Sequence, residues 1–318
     1  MKQNIYRIYI LLLIALLFGS VLVYEQIFKD KKTIISPLPN FLTAFANDQV
    51  STLNLWSPFF EIERNDNQIP TITAKSALVY DLSTKKVLFS KSPKIKLPMA
   101  SLTKIMTAVV AIESAKKADE YLVSKVDLVG ENSMGLTDGE TLMLKELLYG
   151  LILTSGNDAA ETLASNFPNG RAQFIIAMNN KAKALGLKNT HFTNPTGLEG
   201  DGKQYTTVSD LLVITNYAMQ FPIFKEVAKT LIQEIPYSQN HKAFYLENET
   251  NLISSYPGVF GVKDGYTPEA GLCLITYLNY KGHKIIGIIL GSDNRREEMK
   301  DLLDYSLKVQ GITPPPHG

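Results

Sequence analysis

The residues best suited to chemistry lie in three short motifs: S-x-x-K at residues 101–104, S-x-N at residues 155–157 and K-D-G at residues 263–265. Ser101 and Lys104 are three positions apart, a spacing that puts two side chains on one face of a helix. An alcohol becomes an effective nucleophile when a base lies beside it. The motifs together therefore indicate a serine acyl-transferase site.

Lys104 can act as a base only as a neutral amine. Burial and a nearby positive charge both lower the pKa of a lysine, and Lys263 is a candidate source of that charge. Pro98 suits a helix start and residues 105–112 continue an apolar run, which puts Ser101 in the first turn. Free backbone N–H groups there favour a developing oxyanion. Taken alone, an S-x-x-K pattern is usually just solvated helix surface.

The second and third motifs each have a structural alternative. Residues 143–155 are largely apolar and predict a buried helix that delivers Ser155 and Asn157 to a polar turn. Ser155 could relay protons and Asn157 could hold a substrate amide, or these residues could simply cap the next helix, predicted at residues 159–164. Residues 258–266 read as a strand that a ligand or another backbone approaches closely, or merely as an edge strand with a turn.

Longer blocks around these motifs, at residues 98–107, 153–160, 194–198 and 265–271, resemble those of the penicillin-binding serine D,D-carboxypeptidases of peptidoglycan metabolism. The likeness to these low-molecular-mass penicillin-binding proteins extends over about residues 75–310, far more than a single motif match. It implies an α+β fold of the penicillin-binding and β-lactamase-like kind, in which an antiparallel sheet is packed by helices and a helical subdomain is added.

The resemblance also assigns roles in the reaction. Ser101 would be the acylated nucleophile and Lys104 the base that activates it, although the identity of the base is disputed for related enzymes. Ser155 would shuttle the leaving-group proton, and Asn157 would orient the acyl chain.

The third motif would bind the substrate. Lys263 would supply positive charge for a terminal carboxylate, with Asp264, Gly265 and Tyr266 beside it. The oxyanion hole would come from the backbone N–H groups of Ser101 and Tyr266, aimed at charge that develops only in the transition state.

Asp264 departs from the family pattern, which has threonine or serine at this position. An ionised aspartate only accepts hydrogen bonds and brings like charge to a carboxylate, with a repulsion of about 4 kcal/mol at 4 Å and an effective dielectric near 20. We expect a slow enzyme, an enzyme for donors without a free carboxylate, or a binding protein that no longer turns over. Activity would be partly retained if Asp264 turns away or is protonated, because burial near an anion can raise the pKa of a carboxyl group. Gln204, where the family often has histidine, is interpreted as a loop difference without catalytic consequence.

The predicted function is that of a serine D-Ala-D-Ala carboxypeptidase that trims peptidoglycan stem peptides through an acyl-enzyme on Ser101. β-Lactams are the expected covalent inhibitors. The leading alternative is a catalytically impaired protein that binds peptidoglycan or β-lactams because of Asp264. A β-lactamase is a less favoured alternative.

Composition excludes several other classes of protein. The chain has 32 Lys+Arg against 31 Asp+Glu, so nothing points to a nucleic-acid partner. The single cysteine, Cys273, lies in a strand-like run and is expected to be a small core residue, with no intrachain disulfide. The four histidines lack the spacing of metal ligands, and we expect neither a metal nor a cofactor.

The N-terminus is expected to target the protein to the membrane. Lys2 and Arg7 precede an uncharged run at residues 8–24, which is short for a membrane span and long for a signal-peptide core. We expect residues 1–28 to be an uncleaved single-pass anchor with the catalytic domain outside the cytoplasm. Secretion after cleavage of a signal peptide is the alternative.

The rest of the chain divides into three parts. Residues 29–74 read as a linker or stalk, residues 75–310 as the catalytic domain and residues 311–318 as a tail, without the C-terminal β domain that many relatives add. Strands are predicted at residues 76–80, 87–90, 259–263, 272–280 and 284–290, with a turn at residues 281–282 and a closing helix at residues 296–308. Strands from both chain ends around a helical middle predict one antiparallel sheet packed by helices.

Overall fold

Strands from both ends of the chain form one antiparallel sheet. The computed structural model describes residues 69–115, 120–200, 202–250 and 252–317, so the predicted anchor and most of the predicted linker lie outside the described residues. The strands are β1 (Ser76–Asp81), β2 (Lys86–Lys91), β3 (Glu120–Leu122), β4 (Thr141–Met143), β5 (Ile232–Ile235), β6 (Phe244–Glu247), β7 (Val259–Thr267), β8 (Gly271–Tyr280) and β9 (His283–Ser292). The main sheet has the order β2-β1-β9-β8-β7.

Helices connect and cover these strands. They are α1 (Lys104–Ser114), α2 (Leu144–Leu153), α3 (Asn157–Ser165), α4 (Gly170–Ala184), α5 (Val208–Ala218), α6 (Pro222–Lys229), the single turn α7 (Leu252–Ser255) and α8 (Arg295–Lys308). Two small hairpins, β3 with β4 and β5 with β6, accompany the helical middle of the chain.

Both faces of the main sheet are buried, which explains why the central parts of β1, β8 and β9 are largely apolar. In β1, Leu78 and Tyr80 belong to the core shared with the helical middle, whereas Ala77 and Val79 belong to a second core beneath α8. Side chains alternate between the two faces of a strand, so each strand supplies both cores. The helix α1 is buried from Lys104 to Ala111 and packs against α2, α3, α4 and α5.

The edge strand β7 positions the third motif. It pairs with β8 along one side, and its register shifts between Gly261 and Lys263. A β-bulge of this kind re-aims the side chains that follow it and is common beside active sites. The bulge lies immediately before Lys263, Asp264 and Gly265.

The predicted elements agree with the structure apart from their ends. The predicted strands correspond to β1, β2, β7, β8 and β9, and the helices predicted at residues 143–155 and 296–308 are α2 and α8. One local prediction was wrong: Ser101 lies in a separate 3-10 turn, Ala100–Thr103, before α1 begins at Lys104. No helix within the described ranges is both long and apolar enough to cross a membrane.

A buried carboxylate joins the start of the domain to its end. Glu298, on α8, accepts hydrogen bonds from the backbone N–H of Ala74, the backbone N–H and hydroxyl of Thr73, and the hydroxyl of Ser292. Burial raises the pKa of Glu298, but the hydrogen bonds from Ser292, Thr73 and Ala74 outweigh it and hold the pKa below its ordinary value. The ionised form therefore stabilises the fold.

Replacing this carboxylate should destabilise the domain. We expect Glu298→Gln to lower the free energy of unfolding by about 2 kcal/mol, because an amide nitrogen would face N–H and O–H donors. The stabilisation is present above the unfolded glutamate pKa and is lost as the pH falls through the lowered folded value, so the difference should shrink in acid. Urea unfolding across pH measures both effects.

The matched control is Glu226→Gln on α6. The Glu226 side chain is 48% exposed and pairs at 2.9 Å with Lys145, whose side chain is 47% exposed, and such surface pairs contribute little. Equal effects of the two substitutions would contradict the role assigned to Glu298.

Candidate active site

The turn that carries Ser101 packs tightly against Gly197 in the loop at residues 194–198. Ala100, directly before Ser101, has a positive φ of 47°. A Cβ on Gly197 would lie 2.0 Å from the carbonyl oxygen of Ala100, and Gly197 itself has a φ of 90°. Only glycine meets both demands, because it has no Cβ and tolerates positive φ. The loop at residues 194–198 therefore supports the turn that carries Ser101.

Lys104 lies at the centre of the site and is fully buried. Its Nζ is 3.0 Å from Ser101 Oγ, 2.7 Å from Asn157 Oδ1 and 2.8 Å from the carbonyl oxygen of Thr196. Burial, together with the charge of Lys263, holds the pKa of Lys104 well below its ordinary value, despite opposing carboxylates. This environment favours the neutral amine.

The three partners of Lys104 decide the direction of each hydrogen bond. The side-chain oxygen of Asn157 and the carbonyl oxygen of Thr196 can only accept, so they take the two N–H groups of a neutral amine. The amine lone pair is then left for Ser101, whose hydroxyl donates to it. The geometry therefore suits Lys104 as the acceptor of the Ser101 proton.

Asn157 and Ser155 enter the site from the junction of α2 and α3. The Asn157 side chain does not cap α3: it accepts from Lys104 and donates through Nδ2 to the carbonyl oxygen of Gly130, 3.3 Å away. Ser155 has a positive φ of 56°, and its Oγ is buried without a hydrogen-bond partner among the described residues. A buried hydroxyl without a partner is uncommon in folded proteins, so Ser155 keeps a hydrogen bond that a ligand can satisfy.

Asp158, a residue that the motifs did not reveal, supports this junction. Its carboxylate accepts hydrogen bonds from the backbone N–H groups of Met134, Gly135 and Leu136. The loop so held also supplies the carbonyl oxygen of Asn132, which accepts from the backbone N–H of Asn157 at 2.8 Å. The only signal in the sequence was an acidic residue directly after the S-x-N motif.

Gln204 supports the opposite side of Lys104. Its Oε1 accepts from the backbone N–H groups of Thr193 and Asn194, and its Nε2 lies 3.3 Å from the hydroxyl of Thr103. The side chain thus ties the loop that carries Thr196 to the turn that carries Ser101. The catalytic neutrality of Gln204 remains a prediction, but the residue is not a solvated loop position.

Asp264 is bound by two cations. Its Oδ1 is 2.9 Å from Nζ of the fully buried Lys263, and its Oδ2 is 2.5 Å from Nη2 of Arg295. Burial raises the pKa of Asp264, but Lys263 and Arg295 outweigh it, so the pKa lies below its ordinary value and the carboxylate is ionised. Arg295, at the start of α8, was missed at the level of sequence because it lies outside the three motifs.

Gly265 brings β7 against the nucleophile. A Cβ at this position would lie 2.8 Å from the backbone nitrogen of Ser101, so only glycine fits without displacing the turn. Tyr266 follows on the same strand and its residue surface is 61% exposed. Direct contacts thus join Lys104, Asn157 and Gly265 to Ser101 or to one another, and they join Lys263 to Asp264. Ser155 and Tyr266 are placed next to these residues along the chain, and the structure adds Asp158, Arg295 and Gln204.

Comparison with known proteins identifies the family. The profile of the family described as Peptidase_S11, D-alanyl-D-alanine carboxypeptidase, matches residues 63–294. The chain belongs to this family. This confirms the predicted resemblance, and with the sheet described above it confirms the penicillin-binding fold class.

Several relatives are similar over most of the described chain. The D-alanyl-D-alanine carboxypeptidase DacF of Bacillus subtilis is 34% identical over 73% of this chain, and the match spans 62% of the relative's length. The D-alanyl-D-alanine endopeptidase of Escherichia coli is 33% identical over 67% of this chain and 70% of its own length. The crystal structure of the DD-transpeptidase of Streptomyces strain K15 superposes with a TM-score of 0.71 at 31% identity, covering 76% of this chain and 99% of that one.

The charge of Lys263 should control the basicity of Lys104. We expect Lys263→Met to move the acidic limb of Ser101 labelling to higher pH, because loss of the cation, with Asp264 retained, raises the pKa of Lys104. Labelling at neutral pH should slow by roughly tenfold for each unit by which the pKa of Lys104 rises above that pH, because only the neutral amine accepts the proton. The measurement is the labelling rate of Ser101 by phenylmethanesulfonyl fluoride against pH, followed by mass spectrometry.

The control is Lys145→Met, which removes an exposed lysine paired with Glu226 on the surface. Its pH profile should match that of the wild-type protein. A profile for Lys263→Met that does not move, or that moves to lower pH, would contradict the assigned coupling.

Proposed function

We propose that the chain is a serine-type D-alanyl-D-alanine peptidase that removes the terminal D-alanine from peptidoglycan stem peptides through an acyl-enzyme on Ser101. The observation that carries the proposal is the 3.0 Å contact between Ser101 Oγ and a buried Lys104 amine whose N–H groups face two acceptors. Membership of the carboxypeptidase family and the names of the relatives support the same reaction.

Acylation begins when Lys104 accepts the hydroxyl proton of Ser101. The Ser101 oxygen attacks the carbonyl carbon of the penultimate D-alanine, and the resulting oxyanion faces the backbone N–H groups of Ser101 and Tyr266. Preorganised donors of this kind are worth about 3–4 kcal/mol of barrier each in serine hydrolases. The acyl–nitrogen bond then breaks as the leaving nitrogen takes up a proton.

The unpaired hydroxyl of Ser155 provides a route for that proton. It stands at the junction that also presents Asn157 to Lys104, so the proton held by Lys104 can pass through Ser155 to the leaving amine. Water then attacks the acyl-enzyme, Lys104 again takes a proton, and the acid is released from Ser101. Asn157 keeps Lys104 oriented and offers an amide to the acyl chain.

The same site accounts for the expected inhibitors. A β-lactam presents a strained cyclic amide, and attack by Ser101 opens it while the leaving nitrogen stays attached to the acyl group. We propose β-lactams as covalent ligands of Ser101. Slow hydrolysis of that adduct makes the β-lactam an inhibitor, whereas fast hydrolysis makes the protein a β-lactamase.

We further propose that the catalytic domain works outside the cytoplasm on a single-pass anchor. The uncharged run at residues 8–24, preceded by Lys2 and Arg7, supports this location, and peptidoglycan lies on that side of the membrane. Fractionation of cells that express the full chain, with protease added from outside, tests the location. Release of the protein to the medium would support a cleaved signal peptide instead.

The proposed reaction predicts the loss of one D-alanine from a pentapeptide that ends in D-Ala-D-Ala. Wild-type protein should release it, and Ser101→Ala should lower the rate by at least about a thousandfold, because the covalent route is removed. Mass spectrometry of the peptide and of the protein measures product and acyl-enzyme together, with penicillin in a parallel reaction.

The remaining outcomes distinguish the alternatives. A stable penicillin adduct on Ser101 without peptide cleavage would favour the impaired binding protein. Rapid release of hydrolysed penicillin would favour a β-lactamase. Peptide cleavage that survives Ser101→Ala would contradict the assigned nucleophile.

A further inference from the structure

The cations nearest the third motif are already occupied by a carboxylate of the protein. Both oxygens of Asp264 are engaged, Oδ1 by Lys263 and Oδ2 by Arg295. A second hydrogen bond fixes the Arg295 side chain, because its Nη1 donates to the carbonyl oxygen of Gly265 at 2.7 Å. Gly265 touches the backbone of Ser101, so this cluster lies directly beside the nucleophile.

The surroundings of the cluster balance its charge. Asp264 and Arg295 line a cavity that is open to solvent, together with Glu249 and Arg296. The cavity thus has two carboxyl groups and two guanidinium groups around it. Burial raises the pKa of Glu249, and the charge of Lys263 opposes that rise.

This arrangement is unfavourable for a second carboxylate. A D-alanine leaving group carries a carboxylate two bonds from the scissile nitrogen, so it must lie within reach of the strand beside Ser101. To pair with Lys263 or Arg295, it has to displace Asp264, and a carboxylate placed beside Arg296 in the same cavity still lies next to the Asp264 charge. Separating a buried ion pair leaves an uncompensated charge and is strongly unfavourable.

A leaving group that ends in an amide does not meet this obstacle. An ionised carboxylate offers about four lone-pair directions, of which the two cations take only part. A carboxamide N–H can therefore donate to Asp264 while both ion pairs stay intact. The amide oxygen carries no net charge, so the repulsion is absent.

We propose that Asp264 makes this site select D-alanyl donors whose leaving residue lacks a free carboxylate. In the preferred substrate, the carboxyl group of the residue after the scissile bond is an amide. The inference rests on the proposed serine peptidase function and specifies its leaving group. The chemistry is unchanged: the acyl–nitrogen bond breaks, the Ser101 ester forms, the leaving amine takes the proton, and water completes hydrolysis. Release of free D-alanine continues, but more slowly.

The test compares two donors that share one acyl chain, a peptide ending in D-Ala-D-Ala and the same peptide ending in D-Ala-D-alaninamide. For the wild-type protein we expect kcat/KM to favour the amide by at least about tenfold, in line with like charge near the leaving group. Asp264→Thr supplies a neutral hydroxyl and frees both cations, and it should shift the ratio toward the free acid by at least about thirtyfold.

Two further variants separate charge from shape. Asp264→Asn keeps the size of the side chain and removes its charge, so it should shift the ratio in the same direction as threonine. Asp138→Thr changes an exposed aspartate in the loop before β4 and should leave the ratio unchanged. Because both donors are measured on one preparation, the ratio does not depend on the fraction of folded protein.

The outcomes separate this inference from the function on which it rests. Ser101-dependent cleavage that favours the free acid, with a ratio unmoved by Asp264→Thr and Asp264→Asn, would overturn the selection of amide donors alone. Cleavage of neither donor by any variant would overturn the peptidase function and this inference with it. A preference for the amide that both substitutions reverse is the expected result.

Discussion

The amine of Lys104 is placed where its charged form is unstable, and the rest of the site depends on this burial. Removing an ammonium from water is strongly unfavourable unless it is paired, so a buried lysine tends to become neutral. Its contacts come from three separate parts of the chain: Ser101 from the turn before α1, Asn157 from the start of α3, and Thr196 from the loop at residues 194–198. Each part has its own support, and Asp158 and Gln204 provide two of these supports from outside the three motifs.

The edge strand β7 supplies the other half of the site. It remains unpaired on one side within the main sheet, and its bulge precedes Lys263. An edge strand offers backbone groups to an extended ligand, and Gly265 lets that strand reach the backbone of Ser101. The candidate active site thus lies between the sheet and the helical middle, which share one of the two cores.

Charge connects the two halves. Lys263 lowers the pKa of Lys104 from across the site, and Asp264 and Glu249 oppose it. Asp264 therefore acts in two directions, since it reduces the positive potential at Lys104 and also occupies the donors of Lys263 and Arg295. A neutral hydroxyl at this position would do neither, so a single residue changes both the basicity of the site and its preference for anions.

Much of this molecule could be read from its sequence. The apolar runs of β8 and β9, the turn between them and the helix α8 follow local patterns, and three motifs with their family resemblance predicted which residues serve as nucleophile, base and partners. The separate 3-10 turn at Ser101, the support given by Asp158 and Gln204, and the pairing of Asp264 with Arg295 could not be predicted. These contacts join residues far apart in the chain, and only packing decides which of many polar side chains meet. Sequence determined which groups are present and the local elements that carry them, whereas tertiary structure decided their burial, and burial sets the charge of Lys104 and the partners of Asp264.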